Sequence, residues 1–214
     1  MRSVQCSPSF RESIVEHWLL YFSAVCAVFL LPGPDMALVM NNAIQRGFRA
    51  GVWTSAGLAF SRSAHVVLSG VGLSALFHIF PVLLEVAKFA GAAFLIWLAY
   101  GSLRSSDTQS QDKPAFEGKV AFRQGLLTNL MNPKALMFCG VFLPQFIRPG
   151  EMLATEYLKL GSGLVVSGWL FDLLYAALAA RAASYLSGPS RTRTLINRMF
   201  AGIFALTAFK LILS

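Results

Sequence analysis

Two short motifs place polar and charged groups where an apolar helix must break. The first is Pro32-Gly33-Pro34-Asp35; the second is Asn129-Leu130-Met131-Asn132-Pro133-Lys134. Proline inside a helix removes a hydrogen bond and clashes with the preceding turn, so both motifs interrupt the helices that contain them. Backbone groups left unpaired in lipid are expensive, and such breaks survive only against protein or a water-filled cavity. The chemistry on offer is the binding of a small polar solute or ion. Asp35 can hold an ammonium group or a proton, and Asn129 and Asn132 can donate or accept. Asp35 can instead cap the restarting helix of a simple kink, but a carboxylate near mid-bilayer is costly enough to make a functional role the default. Asn132 can cap, with Pro133 suited to a first helical turn. Lys134 either snorkels to the cytoplasmic interface or faces the cavity and neutralises Asp35 or a substrate carboxylate.

A second pair of motifs follows the same logic. Arg62 and His65 are spaced i, i+3, as are Asp172 and Tyr175, so each pair shares one helix face. A shift of 110 residues carries the first pair onto the second, close to the offset of 111 between Phe89-Ala90-Gly91 and Phe200-Ala201-Gly202. Arg62 and Asp172 are therefore expected as partners, since an isolated charge in an apolar bundle is costly. The pair either holds the bundle together or takes part in transport. Histidine can titrate near neutral pH, so His65 is a candidate proton carrier, or it is a satisfied buried histidine.

The elements that must position these residues are membrane helices. The chain has 214 residues, 56% hydrophobic and 13% charged, with a mean hydropathy of +0.60. Soluble domains carry about 25% charged residues, so this chain cannot cover itself in water. Six segments approach the roughly 20 apolar residues that span a bilayer: about Ile14 to Ile44, Ala50 to Phe77, Leu83 to Leu103, Gly125 to Ile147, Tyr157 to Ala182 and Met199 to Leu213. The expected fold is all-α, with six transmembrane helices as two inverted three-helix repeats whose first members, the first and fourth helices, are broken. Its divisions are an N-terminal tail (1–13), a first repeat (14–103), a polar cytoplasmic linker (104–121) and a second repeat (122–214). Inverted repeats with a midplane site at their interface are a plan of many secondary transporters.

Charge sets the orientation. Arg46, Arg49, Arg104, Lys113, Lys119, Arg123, Arg181, Arg191, Arg193 and Arg198 lie on one side, against Arg2, Arg11, Lys88, Arg148, Lys159 and Lys210 on the other. Ten against six makes the first side cytoplasmic and both termini periplasmic. The net charge of +8 is spread singly or in pairs without a basic stripe or stacking platform, which argues against nucleic acid. Cys6, Cys26 and Cys139 have no metal-ligand spacing, and no disulfide framework or cofactor is implied. His17, His65 and His78 lie in separate elements without a nucleophile motif, which disfavours a membrane enzyme. The sequence leaves the oligomeric state open, a homo-oligomer included.

Leu31-Pro32-Gly33-Pro34-Asp35, Arg46-Gly47-Phe48-Arg49-Ala50-Gly51, the run from Phe122 to Lys134, and Leu143-Pro144-Gln145-Phe146 together resemble the LysE/RhtB family of amino-acid exporters. The resemblance covers the chain from about residue 14 to its end. It implies a bacterial inner-membrane secondary transporter of amino acids or close derivatives, driven by the proton gradient. The family's usual Pro-Gly-Pro-Asn is here Pro-Gly-Pro-Asp, and its Gly-Asp before the histidine of the second span is here Ser61-Arg62, a reversal of local charge. Candidate substrate- or ion-binding residues are Pro32, Gly33, Pro34, Asp35, Arg62, His65, Asn129, Asn132, Pro133, Lys134, Asp172 and Tyr175. The partners expected are an amino acid and the bilayer. Export of a metal or other small ion is the alternative, disfavoured by the lack of a Cys, His and carboxylate cluster.

Overall fold

The computed structural model describes residues 10–72, 79, 82–107, 117–147, 152–185 and 190–213. Among them are eight α-helices and no strand: α1 (Phe10–Leu30), α2 (Pro34–Arg46), α3 (Phe48–Gly70), α4 (Val82–Asp107), α5 (Gly118–Leu130), α6 (Pro133–Met137), α7 (Leu153–Tyr185) and α8 (Ser190–Leu213). The chain divides into two units, residues 1–31 and residues 32–214.

The first unit is α1. Its last backbone bond runs from the Leu31 amide to the Ala27 carbonyl at 3.2 Å, and Trp18 stacks on Phe22 one turn away with ring centres 5.8 Å apart. The helix ends where Pro32 and Gly33 follow, as the sequence requires.

The second unit holds the other seven helices. Pro34 opens α2 at its first helical position, where a missing N–H costs nothing. The alternative in which Asp35 merely caps the restarting helix is not what the structure has: extended Gly33 takes the cap position without a side-chain bond, and Asp35 lies inside the first turn of α2. Gly47 joins α2 to α3 as a single residue at φ +88°, a conformation that favours glycine.

Helix α3 is the centre of this unit. Its buried positions are 50, 51, 54, 55, 57, 58, 61, 62, 65 and 69, a helical repeat of three and four that carries threonine, serine, arginine and histidine as well as alanine and leucine. It packs against α2, α5 and α7. The crossing with α5 is backbone on backbone. A methyl at Gly57 would strike the Phe122 carbonyl oxygen, and one at Gly125 would strike the Thr54 carbonyl oxygen. Helices α4 and α8, which carry the two Phe-Ala-Gly copies, pack on each other and share with α2 a core of Ala37, Leu38, Leu95, Leu98, Phe200 and Phe204.

The expected fourth span begins earlier than its apolar run suggests. Helix α5 starts at Gly118, bends by 60° at residues 131–132 and continues as α6. Beyond α6 the backbone widens into a π turn over Phe138–Phe142 and tightens into a 3₁₀ turn over Leu143–Phe146. Pro144 explains both. The Leu143 amide reaches back to the Phe138 carbonyl, and the Cys139 carbonyl, next in that pattern, faces a residue with no N–H to give. The Ser69 hydroxyl of α3 donates to that carbonyl at 2.5 Å, and the Tyr157 hydroxyl lies 3.3 Å from Ser69 Oγ.

By length and composition, the described residues contain one helix that can cross a bilayer unaided (Leu153–Ala183), and up to three such spans if each broken pair counts as one. Leucine, valine and phenylalanine are prominent on the outward faces, at Phe60, Val67, Leu158, Leu170, Leu178, Leu206 and Phe209 among others. Such a surface suits hydrocarbon as solvent.

Gly125→Ala is expected to lower the thermal midpoint of the detergent-purified protein, read by fluorescence-detected size exclusion, because overpacking here costs about 1–3 kcal/mol or more. Gly101→Ala, where nothing lies within 4 Å of the added methyl and alanine is the better helix former, is expected not to lower it.

Candidate functional site

The break between α5 and α6 aims two amides at one carboxylate. Pro133 disfavours helical backbone at the residue before it, and Asn132 is accordingly extended at φ −86° and ψ 104°. Asn132 caps α6 by accepting the Lys134 amide on Oδ1 at 3.1 Å. Its Nδ2 is left to donate, and it does so to Asp35 Oδ1 at 3.3 Å. Asn129, in the last turn of α5, donates from Nδ2 to Asp35 Oδ2 at 2.6 Å. One helix start thus carries the acid, and the facing helix break carries the two donors that hold it.

Arg62 reaches the same carboxylate from α3. Its Nη2 lies 3.2 Å from Asp172 Oδ2 and 3.9 Å from Asp35 Oδ2, so one nitrogen serves carboxylates from α2 and α7. The side chains of Arg62 and Asp172 are 4% and 3% exposed, whereas Asp35 is 21% exposed. The ion pair therefore sits behind, and Asp35 is the accessible member. Two carboxylates and one guanidinium leave one excess negative charge if all are ionised, since the asparagine amides hold Asp35 without neutralising it.

His65 is fully buried one turn along α3 from Arg62, beside the Leu130 backbone and within the field of Asp35 and Arg62. Neither ring nitrogen makes a well-formed hydrogen bond, and the buried Ser61 hydroxyl and Asn129 Oδ1 are likewise without one. Buried polar atoms are normally paired, so the unmet Asn129 Oδ1, on a residue that holds Asp35, marks a place for a polar ligand. Tyr175 packs at the edge of a cluster formed by Val39, Ala43, Leu58, Ala176 and Ala179, one turn from Asp172.

Lys134 does not join this cluster. Its side chain is exposed, and the cation beside Asp35 is Arg62. Asn132 is the extended cap residue outside α6, whereas Lys134 lies in the first turn of that helix, so the two side chains leave the break in different directions. Pro32, Gly33, Pro34 and Pro133 contribute backbone geometry, and their work is to create the two breaks.

The sequence reading missed a polar seam on either side of the cluster along α3. Toward its start, Asn42 donates to Thr54 Oγ1 at 2.8 Å and to Gln124 Oε1 at 3.1 Å, tying α2, α3 and α5 together. Toward its end lies the Ser69, Cys139 and Tyr157 contact, and nearby in sequence Glu156 is buried and accepts from Lys159 at 3.0 Å. The spacing of Thr54, Ser55, Ser61, Arg62, His65 and Ser69 on one face of α3 was the available signal.

Helices with apolar outer faces closed around a buried charged cluster at two breaks define a class, the helical membrane protein. Within that class the chain belongs to the LysE type translocator family, whose family model matches residues 26–214. It is 34% identical to the homoserine/homoserine lactone efflux protein of Salmonella typhimurium over 194 residues, which cover 89% of this chain and 93% of that protein. It is 32% identical to the leucine efflux protein of Klebsiella pneumoniae over 142 residues, 64% of this chain and 66% of the other. An uncharacterized membrane protein of Vibrio cholerae is 30% identical over 189 residues, 87% of this chain and 92% of the other. No solved structure matches the chain.

Removing one partner of a buried pair strands the other charge. Asp172→Ala is expected to destabilise the purified protein by about 3–5 kcal/mol, seen as a lower thermal midpoint. The double variant R62M/D172L is expected to recover most of that loss, and equal midpoints for the two proteins would show that the pair carries no such burden.

Proposed function

We propose that this chain exports a small amino acid or a close derivative across the bacterial inner membrane in exchange for protons. The names of its efflux relatives support the substrate class. The observation that carries the reading is Asp35, a partly accessible carboxylate at a helix break, held by two neutral amides and left with an excess negative charge. In this reading α1 with α2, α3 and α4 form the first repeat (14–103). The segment from α5 to residue 147, α7 and α8 form the second (122–214), with the polar linker 104–121 between them, whose two ends are helical as the last turn of α4 and the first of α5, and the cytoplasmic loops on the linker's side. Alternating access then moves one repeat against the other around the cluster.

Charge bookkeeping supports the exchange. An uncompensated charge inside a membrane protein is costly, so the empty site is expected to hold a proton among Asp35, Asp172 and His65. A substrate ammonium that lands on Asp35 supplies the same single positive charge and displaces that proton, while the carboxylate that comes with it is met by the backbone amides at the positive end of α2. Substrate and proton then occupy the site in turn, one for one, which is the requirement for antiport. The Arg62–Asp172 pair would loosen and re-form as the repeats move, and the amides at the start of α2 suit the substrate carboxylate. Lys134, exposed, remains at the interface.

The test is counterflow of radiolabelled homoserine and leucine in proteoliposomes. Asp35→Asn is expected to lower exchange by about 10- to 100-fold, the worth of one charge-assisted contact of about 1.5–3 kcal/mol, while Asp35→Glu retains part of it. Full exchange by Asp35→Asn would remove Asp35 from the mechanism. Calorimetry in buffers of different ionisation enthalpy is expected to show about one proton released per amino acid bound, from the one-charge balance at the site, and no release would contradict antiport by competition.

A further inference from the structure

We infer that Arg62 is a built-in counter-cation that limits the site's ligand to a single positive charge, so that monoamine amino acids are accepted and dibasic amino acids and diamines are refused. This deepens the reading of the site given above and rests on it.

Two carboxylates on facing helices, Asp35 on α2 and Asp172 on α7, would together suit a ligand with two ammonium groups. Arg62 occupies the space between them. Its Nη2 donates to Asp172 at 3.2 Å, so that acid is taken. Toward Asp35 the same atom stands 3.9 Å away, beyond hydrogen-bond length, so Asp35 keeps acceptor capacity for a visitor. A carboxylate offers about four lone-pair positions; Asn129 and Asn132 use two of them. The nearby Asn129 Oδ1 is a further buried acceptor without a partner. The unmet demand at the front of the site is thus for hydrogen-bond donors carrying one positive charge.

A ligand cannot readily displace Arg62 from its place. The guanidinium is tethered to α3 and buried, so its effective concentration at Asp172 far exceeds that of any solute. A second ligand ammonium would meet the guanidinium as a like charge in a desolvated site, where such repulsion is strong. Exposed Lys134 offers no relief, being a cation itself. The residue pattern at 61–62, serine then arginine, is what sets this limit.

The experiment uses the full chain in lipid nanodiscs and measures binding of norleucine and lysine, which have the same carbon chain and differ by a terminal ammonium. The wild-type protein is expected to favour norleucine. Arg62→Gln leaves two carboxylates and no guanidinium, and it is expected to shift the lysine-to-norleucine ratio toward lysine by about tenfold or more. In the double variant R62Q/D172N the charge count returns to that of the wild type, and the ratio is expected to fall back. Arg62→Lys keeps the cation and is expected to keep the wild-type preference, which covers the case in which Arg62→Gln does not fold. A wild-type protein that binds lysine as well as norleucine overturns the inference, as does a folded Arg62→Gln with an unchanged ratio. Butylamine and butane-1,4-diamine separate the two layers of the argument. If neither amino acid binds but butylamine is preferred over the diamine, the charge limit stands and the amino-acid reading fails. If none of the four binds, both fail.

Discussion

A guanidinium held inside a helical bundle cannot be left to itself, and the position of Arg62 dictates much of what surrounds it. Its only tolerable environment is one in which carboxylates reach it from neighbouring helices. Asp172 answers from α7 at 3.2 Å and Asp35 from α2 at 3.9 Å. For those helices to come close enough, α3 must present small residues at its crossings, and it does so at Gly51, Gly57 and Ala50. Gly125 on α5 completes the closest approach, with no room for even one methyl group on either backbone. Tight packing in this unit is therefore a condition for the charge cluster as well as a source of stability.

Three groups of opposite and unequal charge also leave a remainder. A structural ion pair would be complete with Arg62 and Asp172 alone, both almost wholly enclosed. Asp35 is the addition that a merely structural pair has no need of. It stands forward of the pair, at the start of a helix whose preceding residues are Pro32, Gly33 and Pro34, and two asparagines from the other broken helix hold it in place. The two breaks are thus one device: the first supplies an acid and the second supplies its orientation. Part of the cost of the second break is met locally by the Asn132 cap on α6.

Legibility in the sequence followed the range of the forces involved. Proline acts on its own backbone, so the ends of α1 and α5 and the restarts at Pro34 and Pro133 could be read directly. The Arg62–Asp172 contact could be anticipated because charges in an apolar chain must be matched and a shift of 110 residues supplied the match. Side-chain direction at a helix break could not be read. Two residues separate Asn132, which points at Asp35, from Lys134, which is exposed, and the sequence left open whether the lysine faced the cavity or the interface. Helix ends were blurred for a related reason: α5 begins at Gly118, among the charged residues Lys119 and Arg123 that hydropathy assigns to a loop. The contact of Ser69 with Cys139 depends on a π turn caused by Pro144 several residues away, and no local pattern announces it.

The central claim is that Asp35 is the accessible carboxylate at which proton and substrate alternate. Carbodiimides modify protonated carboxyl groups in membrane proteins, and peptide mass spectrometry can locate the product. The account predicts that Asp35 in the empty protein is modified, and that saturating homoserine or leucine suppresses this label while exposed acids outside the membrane react as before. Labelling of Asp35 that is indifferent to every amino acid shown to be transported would contradict it.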